Sequence, residues 1–310
     1  MQLKTLQTER RARRVLRKPT NAVTDGLLLL DKPAGISSHD AVLAARRAVG
    51  EKRIGHAGTL DPFATGLLVL LTGRATRLLP YIPGEPKVYD ATIAFGAETD
   101  TEDLLGTIVR EAPPPSEDAV RAALPSLTGT ITQVPPAYSA KRVDGQRAYE
   151  AARAGVALEL KPVSITVHSW DVLAWRDREC DVRIVCGGGT YVRSLARDLA
   201  RSIGSAAHLS ALRRVAAGAF HVDAAQSVHA LRDSPPAWRP PLDALPHLPH
   251  VALSESEVHR IRRGLDIDVV HPPISVTSHV ALVSAEHGGL VALGERIGER
   301  WQPRVVMHDA

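Results

Sequence analysis

One carboxylate stands out by its surroundings. In residues 55–68, GHAGTLDPFATGLL, Asp61 is the single acid in a glycine-rich segment that runs into the apolar stretch 67–71. A carboxylate on a loop held by a rigid scaffold is placed to act as a nucleophile, or to stabilise positive charge developing at a reacting carbon. Taken alone, an Asp before a Pro is more often a residue that turns the backbone. The common alternatives are missing: the chain has no GxxxxGK[ST] loop, no HExxH, no paired CxxC and no GxSxG elbow. Ser37, Ser38, His39 and Asp40 line up hydroxyl, imidazole and acid only along the chain, and read better as a helix cap than as a triad. Residues 187–190, GGGT, offer free backbone N–H groups to a phosphate, and a tight strand-to-helix turn explains them equally well. Three acids in residues 99–103, TDTED, would suit a divalent cation, but no further ligands follow at matching spacing, so a solvated loop is expected and no metal site is assigned.

The elements that must position Asp61 are readable from apolar spacing. Residues 26–32, GLLLLDK, form a buried strand; a turn at Pro33 and Gly35 follows, then a helix that opens at Ser37 or Ser38 and stops at Gly50. Residues 67–71 are the next buried strand. Further strands are expected at 88–95, 107–109, 164–172 and 180–186, and helices at 117–124, 146–154 and 191–203. In the last helix Val192, Leu195, Leu199 and Ile203 make one apolar stripe, while Arg193, Arg197 and Arg201 take another face. The proline-rich residues 235–249 read as a linker. Beyond it, Ser254 and Glu257 box the start of a short helix ended by Gly264, and a hairpin turns near His287, Gly288 and Gly289. Strands and helices mix without a βαβ rhythm, which points to an α+β fold rather than a doubly wound sheet.

Composition sets outer limits. With 310 residues and 44% hydrophobic content the chain can bury a large core and a smaller one, which excludes disorder throughout. The net charge of +4 is misleading, because residues 1–18 alone carry +6 and leave −2 for the rest. That basic arm, residues 1–24, is expected to be disordered, either as a solvated tail or as a source of nonspecific phosphate contacts. No run is apolar enough for a secretory signal or long enough to cross a bilayer, so a cytoplasmic protein without membrane contact is expected. Cys180 and Cys186 would share the buried face of one strand, roughly 20 Å apart at about 3.3 Å per residue, beyond disulfide reach, and read as reduced core residues.

The segment around Asp61 closely resembles the nucleophile motif of bacterial tRNA pseudouridine-55 synthases, the TruB family, in which a GTLDP run followed by ATGLL carries the catalytic aspartate. Five further blocks look like that family's, in its order: DKPAGISSHDAV (31–42), KVYDATIAFG (87–96), VPPAYSAKRVDGQRAYEAARAG (134–155), GGGTYVRSLARDLA (187–200) and AHLSALRR (207–214). The likeness spans roughly residues 25–233. Ala200 departs from it, standing where the family block usually has Gly.

The resemblance implies a mixed, largely antiparallel pseudouridine-synthase sheet flanked by helices over residues 25–248, with a small, mostly β, PUA-like RNA-binding domain over 249–310. It implies isomerisation of uridine 55 in the tRNA T-loop by a monomer, with no cofactor, metal or guide RNA. It also implies roles: Asp61 as nucleophile, Tyr89 as the aromatic against the target base, and Arg193 as the cation partnering Asp61. His56 would insert where flipped bases leave the stack, Tyr191 and Leu212 would line the uridine pocket, and Lys32 belongs to the DKP block. The chemistry moves the ribose C1′ bond from a base nitrogen to a ring carbon, so atoms and oxidation state are unchanged. Attack of the carboxylate at C1′ or at base C6 stays open, as does whether Tyr89 only stacks or also moves a proton. Two other readings remain: a guide-RNA-dependent synthase sharing the GTLDP core, from which the ATGLL and PPAYSAKRVDGQ runs differ, and a noncatalytic tRNA-binding or tRNA-folding module. A phosphate-handling transferase built on the 187–190 loop would need a lysine or metal ligands that the sequence does not supply.

Overall fold

A computed structural model describes residues 25–139, 142–143, 146–147, 158, 160–269 and 278–307. The basic arm, 1–24, lies outside the described residues. So does most of the helix expected over 146–154; its first two residues, Gln146–Arg147, pair as a strand with Arg142–Val143.

Ten strands make the main sheet. Those that concern the site are β1 (Gly26–Lys32), β2 (Ile54–Ala57), β3 (Thr65–Thr72), β4 (Lys87–Phe95), β5 (Gly129–Gln133), β6 (Val163–Arg176), β7 (Glu179–Cys186), β8 (Ala207–Ala217) and β9 (Gln226–Ser227). Their order is β9-β1-β3-β8-β4-β7-β6-β5, with β2 on β3. All these pairings are antiparallel except β1 with β9 and β3 with β8.

The residue patterns account for the layers. In β1 and β3 both faces are covered: Leu27, Leu29, Leu67, Val69 and Leu71 face one core, and Leu28, Leu30, Leu68 and Leu70 face another closed by α1 (Ser38–Val49). A strand buried on both sides reads as an unbroken apolar run, which is the pattern of both segments. Strands β4 and β7 instead alternate, sending Tyr89, Ala91, Ile93 and Phe95, and Cys180, Val182, Ile184 and Cys186, into a third core under α2 (Glu117–Ala123) and α3 (Val192–Ser202). Both cysteines are buried and free.

The two halves of the sheet barely join. β3 and β8 pair only at Thr65 with Arg213 and Gly66 with Arg214. Gly66 has φ +101, and a Cβ there would come within 2.3 Å of the Arg214 carbonyl oxygen, so this close approach admits only glycine. The chain entering β3 at this junction is the loop that carries Asp61.

The proline-rich stretch is not a free tether. Leu27 and Arg239 exchange both backbone hydrogen bonds, at 3.0 and 2.9 Å, and Ala244 and Leu245 are buried in a core that also holds Leu293, Val305 and Met307. A second sheet of five strands follows: β10 (His250–Leu253), β11 (Ile267–Asp268), β12 (His279–Ser284), β13 (Leu290–Ile297) and β14 (Arg300–Val306), in the order β10-β12-β13-β14-β11. Its helix α4 (Glu255–Arg262) opens with the expected Ser254–Glu257 box. The whole is α+β, a mixed and largely antiparallel sheet with a small, mostly β second unit. Among the described residues no helix is long and apolar enough to cross a membrane.

Candidate active site

The loop between β2 and β3 is fixed by side chains from three other segments. Ser38, the first residue of α1, accepts from the Leu60 N–H (2.8 Å) and donates to the Leu60 carbonyl (3.0 Å). The Pro62 carbonyl accepts from the Gly35 N–H (2.8 Å) and from the Lys32 ammonium (3.4 Å). Arg214 of β8, 1% exposed, donates to the carbonyls of Gly58 (3.1 Å), Thr59 (3.4 Å) and Leu67 (2.8 Å). The capping box expected at the start of α1 is present between Ser37 and Asp40, so that run does cap, and its neighbour Ser38 brackets the residue before Asp61.

Asp61 meets Arg193 in a bidentate pair, Nε to Oδ2 at 2.9 Å and Nη2 to Oδ1 at 3.1 Å. The guanidinium is 3% exposed while the carboxylate remains 34% exposed, so one partner is a fixed wall and the other still faces solvent. Arg193 also donates to the carbonyls of Thr101 (2.8 Å) and Tyr138 (2.9 Å). This planar fork, bound on both edges, fixes the carboxylate's orientation as well as its charge.

Arg193 is held in turn by the helix that carries it. Of the three arginines of α3, Arg193 and Arg197 are buried and Arg201 is exposed. Arg197 pairs with Glu102, whose other oxygen accepts from Ser194 (2.9 Å), and Arg201 pairs with Glu98. Glu98, Glu102 and Asp103 are all buried. The TDTED segment is therefore not a solvated loop: Glu102 is consumed by α3, and the Thr101 carbonyl is consumed by Arg193. Burial pushes the Glu102 carboxyl above its usual range, with Arg197 pulling the other way.

Around this pair lies a cavity of about 250 Å³, lined by Asp61, Tyr89, Tyr191, Arg193 and Leu212 together with Gly58 and Lys87. That is somewhat below the 300–1,000 Å³ or so typical of drug-sized ligands and suits one nucleoside. Tyr89, on the inward face of β4, is 7% exposed; burial raises its pKa while the Arg214 guanidinium, which donates to its hydroxyl, lowers it. Tyr191 caps α3, and its backbone is clasped by the Gln133 side chain, which accepts from the Tyr191 N–H (2.9 Å) and donates to its carbonyl (3.0 Å).

Five of the seven expected residues thus converge on one cavity, and two lie outside its lining. His56 sits on β2, half-buried, its pKa lowered chiefly by burial. Lys32 is wholly buried and donates to the carbonyls of Pro33 (3.0 Å), Ile36 (2.8 Å) and Pro62; burial pushes its pKa down to about 8. It braces the Asp61 loop through the Pro62 carbonyl. In the glycine run, which could have offered N–H groups to a phosphate or made a tight turn, the Gly188 N–H donates to the Glu85 carboxylate (2.6 Å). Sequence reasoning missed Arg214, Lys87, Gln133 and Glu102. Lys87 was within reach, because it stands two residues before Tyr89 on the same strand face.

Residues 46–192 match the family described as TruB family pseudouridylate synthase (N terminal domain). The chain is 42% identical over 297 residues to tRNA pseudouridine synthase B of Thermobifida fusca (strain YX), covering 92% of this chain and 99% of that one. It is 46% identical over 217 residues to tRNA pseudouridine synthase B of Bordetella pertussis (strain Tohama I), covering 69% and 89%. Among solved structures, an H/ACA RNP bound to a substrate RNA containing 2′-deoxyuridine has a similar fold, with a TM-score of 0.71 at 24% identity over 92% of this chain and 85% of that one. A Cbf5-Nop10-Gar1 complex gives 0.69 at 25% identity over 91% and 84%.

Proposed function

Since this chain belongs to the TruB family of pseudouridylate synthases, we propose that it isomerises uridine 55 in the T-loop of tRNA, with Asp61 as the nucleophilic carboxylate. The observation that carries the reading is the bidentate Arg193–Asp61 pair in the wall of a nucleoside-sized cavity that also holds Tyr89.

A uridine stacked within the loop cannot reach this cavity, so it flips out at a cost of a few kcal/mol and is held by stacking and edge hydrogen bonds. Tyr89 and Tyr191 supply the aromatic surfaces, and Leu212 closes the apolar side. His56, on the strand leading to the loop, fills the gap left in the RNA stack; its lowered pKa keeps the ring neutral near pH 7, which suits insertion between bases. The Asp61 carboxylate attacks C1′ as the bond to base N1 breaks and the pair of electrons leaves with the uracil. The uracil rotates, C5 attacks C1′ and displaces the carboxylate, and the C5 proton departs to restore the ring. Tyr89 stacks on the base, and its phenol, kept protonated by burial, can relay that proton only by passing its own O–H proton on to water as it takes the new one. The net change moves one bond and one proton, so no external oxidant or reductant enters, and no cofactor or metal is required.

Residues 25–248 form the synthase unit in this reading, and 249–310 a PUA-like unit that extends the RNA contact. The protein acts without guide RNA, a reading favoured by 42% identity to a tRNA pseudouridine synthase B against 24–25% to the H/ACA and Cbf5 structures. It works as a monomer, and a stable dimer on sedimentation would overturn that part.

The test is conversion of uridine to pseudouridine in an unmodified tRNA transcript, without added metal or cofactor, by wild type and Asp61→Asn. Product at one T-loop position from wild type alone is the expected result. Tight tRNA binding with no product from either protein would replace the reading with a tRNA-binding module.

A further inference from the structure

The cavity contains a cation that the described residues leave unmatched. Lys87 lines it, yet among the described residues its ammonium makes no hydrogen bond or ion pair. The carboxylate that acts on it, Glu85, is engaged by the Gly188 N–H. Asp61 is taken up by both edges of Arg193. Close by is a second cation with no acid of its own: Arg214 is satisfied by three backbone carbonyls and the Tyr89 hydroxyl.

Both converge on one notch. A methyl group placed on Gly58 would lie 3.3 Å from Arg214 Nη1 and 4.0 Å from Lys87 Nζ, and Gly58, at φ +84, itself lines the cavity. Bare backbone here leaves space in front of two positive charges. Burial lowers the Lys87 pKa, and the like charge of Arg214 lowers it further, so the empty site disfavours the charged form. An unpaired cation in a partly desolvated wall is costly unless an anion meets it. A flipped nucleotide brings one, because a nucleotide rotated about its backbone into a pocket keeps its two flanking phosphodiesters covalently attached at the pocket's mouth.

We propose that Lys87, reinforced by Arg214 and admitted by the bare backbone of Gly58, binds a phosphodiester flanking the extruded uridine and so holds the flipped conformation. This rests on the reading of the cavity as the uridine site. Lys87 grips the backbone of the nucleotide whose base Tyr89 contacts, two residues along the same strand.

The experiment uses a T-arm stem-loop RNA in which the linkage on the 5′ or the 3′ side of the target uridine is replaced by a neutral methylphosphonate, tested with wild type, Lys87→Met and Lys87→Arg. A charge-assisted contact of about 1.5–3 kcal/mol corresponds to roughly a ten- to hundredfold loss of RNA affinity. The expected result is that loss for wild type at one of the two linkages, with less than about a threefold further loss when the same RNA meets Lys87→Met. Lys87→Met should also lower the slope of log Kd against log salt by about 0.7, and Lys87→Arg should retain most of the affinity. Losses from the neutral linkage and from Lys87→Met that simply multiply at both positions would overturn the proposal. So would wild-type indifference to both neutral linkages, a result that requires no variant to fold. Binding is read without turnover, so an enzyme that binds and obeys this pattern yet makes no pseudouridine would sink the isomerase reading and leave the phosphate contact standing.

Discussion

The sharpest test of how the site is held together is Glu102→Ala, a change that touches no part of the cavity lining. Glu102 is 7% exposed, and its two carboxylate oxygens are divided between Arg197 and Ser194 on α3. Removing one partner of a buried pair costs about 3–5 kcal/mol, because the other charge is stranded. Here Arg197 keeps Asp198 (2.8 Å) and the Val134 carbonyl (2.9 Å), which places its share near the lower end. The buried Ser194 hydroxyl also loses its acceptor, adding roughly 1 kcal/mol or more. The total expected is about 4 kcal/mol, against about 0.5 kcal/mol or less for Glu117→Ala, which breaks the exposed pair with Arg121 one helix away. The same loosening lets α3 shift, and a misplacement of about 1 Å at Arg193 is enough to slow the reaction around a hundredfold. Denaturant unfolding and single-turnover pseudouridylation, run on both variants, read the two effects separately. If Glu102→Ala unfolds within 1 kcal/mol of wild type and turns over at the wild-type rate, the acids of the TDTED segment do not position Arg193 and the account of the site is wrong.

Two further outcomes follow from the same geometry. Arg193→Lys keeps the positive charge but replaces a fork holding four acceptors with a single ammonium, so single-turnover rate should fall about a hundredfold while tRNA affinity changes only a few-fold; equal losses in both would assign Arg193 to RNA binding. Lys32 has its folded pKa lowered to about 8 from 10.5, so between those values the unfolded chain holds a proton that the folded one has released. Stability relative to Lys32→Met should therefore rise as pH climbs from 8 to 10.5, and a flat or falling difference in denaturant midpoint over that window would show that Lys32 is not desolvated.

What the sequence reveals about this site depends on whether a residue's environment leaves a mark on its neighbours in the chain. The buried strands β1 and β3 are legible because covering both faces demands an unbroken run of leucines, and α1 is legible because Ser37, Asp40 and Gly50 are its caps. Asp61 is legible through the resemblance of its whole segment, while its partner Arg193 is 132 positions away and no local spacing connects them. The arginines of α3 show their spacing but not their partners, for a physical reason. Arg193, Arg197 and Arg201 recur every fourth residue, which is the pattern of a solvated helix face, and only the fold brings Asp61, Glu102 and Glu98 against them. The acids were misread by the same logic, since TDTED looks like a polar loop until the arginines that cover it are known. Lys32 falls between these cases: its place in a DKP block suggests function, yet three backbone carbonyls within reach make it a brace.

The pairing of charges also explains why net charge was a poor guide to the partner. A body of −2 does not look like an RNA-binding surface, and the arginines of α3 are indeed spent internally, the buried Arg193 on Asp61 and Arg197 on Glu102, and the exposed Arg201 on the buried Glu98. These pairs cancel at a distance and contribute rigidity rather than attraction. At the cavity that Asp61 lines, what is left over among the described residues is Lys87 and Arg214, each without an acid of its own. An RNA drawn by long-range charge would bind anywhere along a basic face. On the proposed reading, an RNA phosphate that meets Lys87 and Arg214 inside the cavity gains that contact only after the nucleotide has flipped, so this part of the electrostatic gain is reserved for the conformation that reacts.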